Sequence, residues 1–379
     1  MSRFLCVLLL LLNTITLSSC KLMSELAPAK EDTTKIHDWM VVPVYYATTR
    51  KRAMSKTIDF LEVGADKGLM FGVKNMVVPA PTNISVSEET RKKMGWQLIH
   101  LDKALPQGKK PDAPDGDKCP VADSEYAAGE IASAFDKYRR DCGAKQAMIF
   151  VHGCCATFNT SLERAAKISS HLRMPVVVFD WDSPRGFSKY LANETTAEQS
   201  LDDFYCFLYK TESVIAPEDT IVLGHSMGAR FVNDAFVRRS ERLKCKEPVK
   251  KYAQIVFCQP DIDARSYIGH NHSITEQADL TRIYFNATDG RLDASATAHG
   301  GFERLGRPEK LIDQLCSVDN QEMIDVTEVA LGHEIPFWVL ADLTNHEDVA
   351  NGGFVCKEEG AHHFVLHRLG SSLDSKASN

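Results

Sequence analysis

Gly224-His225-Ser226-Met227-Gly228 is the stretch of this chain best suited to covalent chemistry. Its serine stands between an apolar run, Thr220–Leu223, and a segment with helical spacing, Met227–Leu243. A serine at so sharp a strand-to-helix turn projects its oxygen above the sheet edge, and the turn requires small neighbours such as Gly224 and Gly228. The helix start adds backbone N–H groups and the positive end of a dipole, which favour negative charge developing on a nearby oxygen. The chemistry this setting suits is acyl transfer to Ser226. A serine hydroxyl is a weak nucleophile, so it needs a base, and the base needs a carboxylate to orient it.

In such strand–serine–helix arrangements the acid follows the serine along the chain and the histidine follows the acid. The run Arg282–Phe285 ends in Asn286-Ala287-Thr288-Asp289-Gly290, which makes Asp289 the expected acid. Asp261, in Gln259-Pro260-Asp261-Ile262-Asp263, is its rival. The residues after Asp261 read as a helix start, where an aspartate caps backbone N–H groups, whereas Asp289 reads as part of a longer polar loop. His333, in Leu331-Gly332-His333-Glu334, follows the run Met323–Val326 and is the expected base. His299, in the glycine-rich Ala298-His299-Gly300-Gly301, is the alternative and is expected to line the site. The oxyanion would take one backbone N–H from Met227 and a second from the loop Phe150-Val151-His152-Gly153-Cys154-Cys155, with Cys154 or Cys155 as the donor and Cys154 preferred. His152 reads as a residue that shapes this loop. The spacing of Cys and His fits no zinc site, and neither a metal nor an organic cofactor is implied.

These residues need elements to hold them. Short apolar runs at 147–151, 176–179, 220–223, 254–258, 282–285 and 323–326 alternate with helix-compatible segments at 161–172, 197–215, 227–243 and 307–315. Continuous apolar strands separated by helices indicate a parallel sheet covered on both faces. Upstream, Val41–Thr48, Leu69–Val73, Met76–Val78 and Gln97–His100 read as strands that pair antiparallel at one edge. Glu125–Arg140 reads as a helix, and 334–340 as a C-terminal one. The segments 183–193 and 297–306 are the expected rim of the site.

The 379 residues, 44% of them hydrophobic, suffice for a sizeable core, and a net charge of -7 gives no footing for nucleic-acid binding. Arg3, the apolar run Phe4–Leu12 and Leu17-Ser18-Ser19-Cys20 read as a lipoprotein signal peptide over residues 1–19, with Cys20 as the lipidated residue. Residues 20–37 would then be the lipidated cysteine and a polar tether, 38–370 the folded domain and 371–379 a disordered tail. Lys21 after the cysteine suggests the outer membrane facing the periplasm, with the lipid anchor as the membrane contact. A plain secretory peptide is the alternative, and only then would glycosylation acceptors such as Asn83 and Asn193 matter. Nine cysteines remain beyond the signal and the anchor, so at least one disulfide is expected on export; Cys119 and Cys142, which bracket a helix, are a candidate pair.

Taken together, the motifs resemble a bacterial α/β-hydrolase family of unknown function, over about Val41 to Asp342. Val-Tyr-Tyr-Ala-Thr-Thr-Arg at 44–50, Phe-Val-His-Gly at 150–153 and Phe-Asp-Trp-Asp-Ser-Pro-Arg-Gly at 179–186 carry the resemblance. So do Gly-His-Ser-Met-Gly-Ala-Arg at 224–230, Gln-Pro-Asp-Ile-Asp at 259–263 and Gly-His at 332–333. The chain departs from the family pattern at Trp181-Asp182-Ser183-Pro184 and at Cys154, both at the site rim, so no substrate preference carries over. The resemblance implies an α/β fold of the α/β-hydrolase type and hydrolysis of an ester-like bond, and names no substrate; a small-molecule or lipid acyl substrate is the expectation for a serine of this kind. An acyltransferase with the same triad, and a non-catalytic envelope lipoprotein that uses the fold for binding, are the alternatives.

Overall fold

The computed structural model describes residues 38–52, 60–81, 88–101, 125–184, 189–243, 250–330, 332–334, 354–360 and 362–368, with a few isolated positions between them. The N-terminal part contributes β1 (Asp38–Arg52), β2 (Phe60–Pro79), a short helix α1 (Glu88–Lys93) and β3 (Gln97–His100). An alternating series follows: α2 (Glu125–Asp141), β4 (Ala147–Val151), α3 (Phe158–Leu172), β5 (Val176–Asp180), α4 (Tyr190–Glu212), β6 (Thr220–His225) and α5 (Gly228–Leu243). It continues with β7 (Tyr252–Cys258), α6 (Ala264–His270), α7 (His272–Thr275), β8 (Ala278–Phe285), α8 (Gly290–Ala298), α9 (Ile312–Cys316) and β9 (Gln321–Asp325). The strands β10 (Phe354–Gly360) and β11 (His363–Arg368) close the series.

Among the described residues all the strands join one sheet in the order β10-β11-β9-β8-β7-β6-β4-β5-β1-β2, with β3 pairing β1 beside that path. Every pairing from β1 through β5, β4, β6, β7, β8 and β9 to β11 is parallel. Antiparallel pairing is confined to β1 with β2 and β3, and to β10 with β11.

The apolar strands have a simple cause. Alternate residues of a strand face opposite sides, and here both sides are covered. In β4, Ala147, Ile149 and Val151 pack into one buried cluster with Phe135 of α2, Phe204 and Phe207 of α4 and Phe231 of α5. Met148 and Phe150 pack into the other, with Leu162, Ala165 and Ile168 of α3. A strand buried on both faces reads as a nearly continuous apolar run, and β4, β5 and β6 are buried throughout, with polar residues only at the ends of β5 and β6. Thr157 caps α3 by accepting from the Thr160 N–H at 3.1 Å, and Arg173 ends it in the left-handed conformation.

Several expectations are corrected. The two strands read at 69–73 and 76–78 are one, β2, which pairs β1 with a register shift near Arg50. The helix expected over 307–315 is shorter and later, at Ile312–Cys316, because Arg304 and Arg307 are held in isolated bridges. Beyond the polar run after 342 the chain re-enters the sheet as β10 and β11. The Cys119–Cys142 pairing does not stand: Cys142 is a free thiol packed half-buried against the core, with burial pushing it up to about 11, and Cys119 lies outside the described residues. Cys154, Cys155, Cys206, Cys258 and Cys316 are free thiols as well. The signal and tether expected over 1–37 and the tail at 371–379 fall outside the described residues, as does most of the helix expected at 334–340.

Candidate active site

Three central strands end in the residues that build the site. After β6 the chain turns straight into α5, and Ser226 sits in the turn at φ 53°, a left-handed conformation that costs a non-glycine residue energy. The surrounding backbone fixes it there. The Ser226 N–H donates to the Cys258 carbonyl at 3.0 Å, and the Ser226 carbonyl accepts from the N–H groups of Ala229 and Asp261, both at 3.1 Å. The flanking glycines permit this closeness. A Cβ on Gly228 would lie 2.3 Å from the Val151 carbonyl oxygen, and one on Gly224 would lie 2.6 Å from the Ala229 Cα.

The Ser226 Oγ lies 2.7 Å from Nε2 of His333, and His333 Nδ1 lies 2.6 Å from Oδ2 of Asp289. With Nδ1–H donating to the carboxylate, Nε2 is left to accept the serine proton. All three residues are buried, so the chain of hydrogen bonds is shielded from bulk water. Asp289 is also the N-cap of α8: its Oδ1 accepts from the N–H groups of Arg291 at 2.9 Å and Leu292 at 3.2 Å. Burial raises its proton affinity, but the adjacent His333 and these donated hydrogen bonds outweigh burial and hold the carboxyl below its usual range.

The loop that carries His333 is fixed by polar residues at three strand ends that sequence reasoning missed. His225, the last residue of β6, faces the His333 carbonyl through Nε2 at 3.2 Å. Gln259, after β7, and Asn286, after β8, both donate to the Gly332 carbonyl, at 2.7 Å and 2.9 Å. The signal was present: each is a polar residue that terminates an apolar run. Burial, then repulsion from His333, pushes the His225 imidazole well below its usual range and keeps it neutral.

The structure separates the two aspartates by reasons opposite to those read from sequence. Asp289 is the helix cap, and Asp263, not Asp261, caps α6, by accepting from the Ser266 N–H at 2.6 Å. Asp261 is buried in a cationic pocket instead. Its Oδ1 accepts from Arg304 Nε at 2.7 Å and Ser295 Oγ at 2.6 Å, and its Oδ2 accepts from the Tyr190 hydroxyl and lies 3.3 Å from Arg230 Nη2. Burial would raise the Asp261 carboxyl, but Arg230 and Arg304 prevail and hold it far below the usual range. His299 is likewise held away from the serine: Nε2 lies 2.8 Å from Glu194 Oε1 and Nδ1 lies 2.7 Å from the Ser295 carbonyl.

The loop after β4 runs beside the serine. His152 shapes it, with Nδ1 2.7 Å from the Gly153 carbonyl and Nε2 3.1 Å from Asp180. The Cys155 N–H donates to Ser183 Oγ at 2.5 Å and is thereby taken up within the loop's own surroundings. Met227 is fully buried at the start of α5.

A mostly parallel sheet flanked by helices, with a serine on a strand-to-helix elbow and a histidine and an aspartate on later loops, defines an α/β hydrolase. The chain belongs to the family described as alpha/beta hydrolase of unknown function (DUF900), whose sequence profile matches residues 129–338. A search of curated proteins found no match. Among solved structures, the chain is similar to an esterase/lipase from an uncultured bacterium, at 14% identity and TM-score 0.25, over 41% of this chain and 64% of that one. It is also similar to EstE7, a homologue of HSL from a metagenome library, at 12% identity and TM-score 0.31, over 55% of this chain and 76% of that one. A lipase-esterase related protein from Clostridium acetobutylicum matches at 14% identity and TM-score 0.24, over 48% of this chain and 74% of that one. Among the described residues no helix is long and apolar enough to cross a membrane.

Proposed function

We propose that this hydrolase cleaves a carboxylic ester or thioester through an acyl-enzyme on Ser226. The observation that carries the reading is the unbroken line from Ser226 through His333 to Asp289, with contacts of 2.7 and 2.6 Å. His333 takes the serine proton as the oxygen attacks the acyl carbon, then gives it to the leaving alcohol or thiol. Asp289 holds the tautomer and stabilises the imidazolium that forms. The N–H groups of Met227 and Cys154 stabilise the oxyanion, and water activated by His333 releases the acid.

Two segments on the rim support a substrate with an apolar acyl part. Leu191 and Phe302 are exposed on the segments that carry Tyr190 and His299, whose ring centroids stand 5.8 Å apart, edge to face. In the same reading the domain is tethered to an envelope membrane through a lipid on Cys20. Turnover of p-nitrophenyl esters of graded chain length tests the catalytic part. Ser226→Ala should lower turnover by up to ~10⁶. A variant as active as the parent would remove the serine mechanism. Product analysis with an added alcohol separates hydrolysis from transfer, since an acceptor that outcompetes water would make the protein an acyltransferase.

A further inference from the structure

The adjacent cysteines of the β4–α3 loop have no part in acyl transfer beyond one backbone N–H, yet their thiols are placed together. Successive side chains of an extended segment point to opposite sides. Here Cys155 adopts a left-handed conformation, φ 64°, and the two sulfurs stand 3.1 Å apart. The arrangement is held from outside the loop. The Cys155 N–H is bonded to Ser183 Oγ, and Ser183 in turn donates to Asn193 Oδ1 at 2.7 Å. Both cysteines are half-buried. The loop also presses on the nucleophile: a Cβ on Gly153 would lie 2.8 Å from the Ser226 Cβ and 3.1 Å from His225 Nδ1.

We propose that Cys154 and Cys155 form a redox-active vicinal dithiol that a hydroperoxide oxidises to a disulfide, and that the disulfide disables the Ser226 site. Cys155 is the attacking group. As a thiolate its sulfur accepts from the Cys154 thiol, which lowers Cys155 against the opposing effect of burial, and the charge of Arg291 and the Gly186 N–H add to the lowering. The same hydrogen bond, with burial, raises Cys154. The Cys155 thiolate attacks one peroxide oxygen, the O–O bond breaks, and the other oxygen leaves as an alcohol after taking up a proton. The Cys155 sulfenic acid that results is attacked by the Cys154 sulfur, and hydroxide leaves with the Cys154 proton as water. Two thiols and one hydroperoxide thus become a disulfide, an alcohol and water, with two electrons passing from sulfur to the peroxide.

Closing the ring must draw the sulfurs from 3.1 Å to ~2.0 Å across a single peptide, which swings the Cys154 backbone. The effect on activity rests on the hydrolase reading, through the Cys154 N–H; the formation of the disulfide does not.

The test uses the full chain, reduced, freed of reductant and treated with tert-butyl hydroperoxide. Remaining thiols are trapped with a maleimide, and the tryptic peptide spanning 146–164 is weighed, because Cys154 and Cys155 are its sole cysteines. The expected result is a peptide short by two hydrogens and without maleimide. Fluorophosphonate labelling of Ser226 should slow in parallel, by ~10² as for a lost oxyanion donor, and dithiothreitol should restore both. Cys155→Ser should label at the same rate before and after peroxide. Thiols that still take maleimide, or that advance to sulfinic acid, would overturn the proposal, as would a disulfide that leaves labelling unchanged. If the disulfide forms but the reduced protein never labels, the hydrolase reading fails and the redox pair stands.

Discussion

Single side chains carry the sharpest consequences. Asp289 does two tasks with its two oxygens, capping α8 with one and holding His333 with the other. Asparagine also caps helices but has no charge to steady an imidazolium. Asp289→Asn should therefore keep its thermal midpoint within a few degrees and lose turnover by ~10⁴. Asp261→Asn should behave in the opposite way. It leaves Arg304 without its buried counter-charge and Arg230 with Glu194 alone, so stability should fall by ~3 kcal/mol with a much smaller loss of turnover. Measuring midpoint and turnover on both variants decides between them, and a large turnover loss confined to Asp261→Asn would move the acid one strand earlier. The buried histidines make a separate prediction. Burial lowers both histidines in the folded chain, His152 against the pull of Asp180 and His225 with repulsion from His333 added. An unfolded imidazole titrates near about 6.5, so below that value the unfolded chain binds more protons and stability drops as the pH falls. Each group adds a slope of at most ~1.4 kcal/mol per pH unit. Denaturant midpoints should rise between about pH 5 and pH 7, and His225→Gln should flatten that rise; an equally steep rise in the variant would show that His225 is not held neutral.

At the scale of elements, the elbow depends on how closely α5 approaches the end of β4. Gly228→Ala would put a Cβ against two backbone carbonyls, of Val151 and His152, at 2.3 and 2.4 Å, and neither can turn aside. The variant should lose ~1–3 kcal/mol and most of its turnover. Gly269→Ala on the exposed side of α6 meets nothing within 4 Å and should be neutral or stabilising by ~0.5–1 kcal/mol. Equal melting of the two variants would contradict the packing described. The same packing explains what was legible beforehand. Strands β4 to β6 announced themselves because burial on both faces confines polar residues to their ends. The serine elbow was legible because its glycines are sterically required. By contrast, β2 contains Gly68, Gly72, Lys74 and Asn75, so its pattern broke into fragments. The β10–β11 hairpin was missed because Lys357, Glu358 and Glu359 interrupt an edge strand that needs no continuous apolar run. The capping role of Asp289 was hidden because no apolar periodicity marks the nine-residue helix that follows it.

For the molecule as a whole, the parallel sheet brings residues from positions 152 to 333 to one edge, and the hairpin at the far end covers β9. Where this body sits in the cell turns on a single residue. If Cys20 carries lipid, detergent should be needed to extract the wild-type chain from membranes, and Cys20→Ala should be released as a folded, soluble domain. Retention of that variant on membranes, with no acyl mass on the wild-type N-terminal peptide, would reject the anchor. The central claim, that this fold holds an activated serine, is tested most directly by covalent capture. The purified, reduced chain is exposed to a fluorophosphonate and digested, and the adduct is located by mass spectrometry. The account predicts a single adduct on Ser226, formed rapidly in the native chain, absent after denaturation and much slowed in His333→Gln. A native, folded chain that takes up no label, or that carries it on a residue other than Ser226, would contradict it.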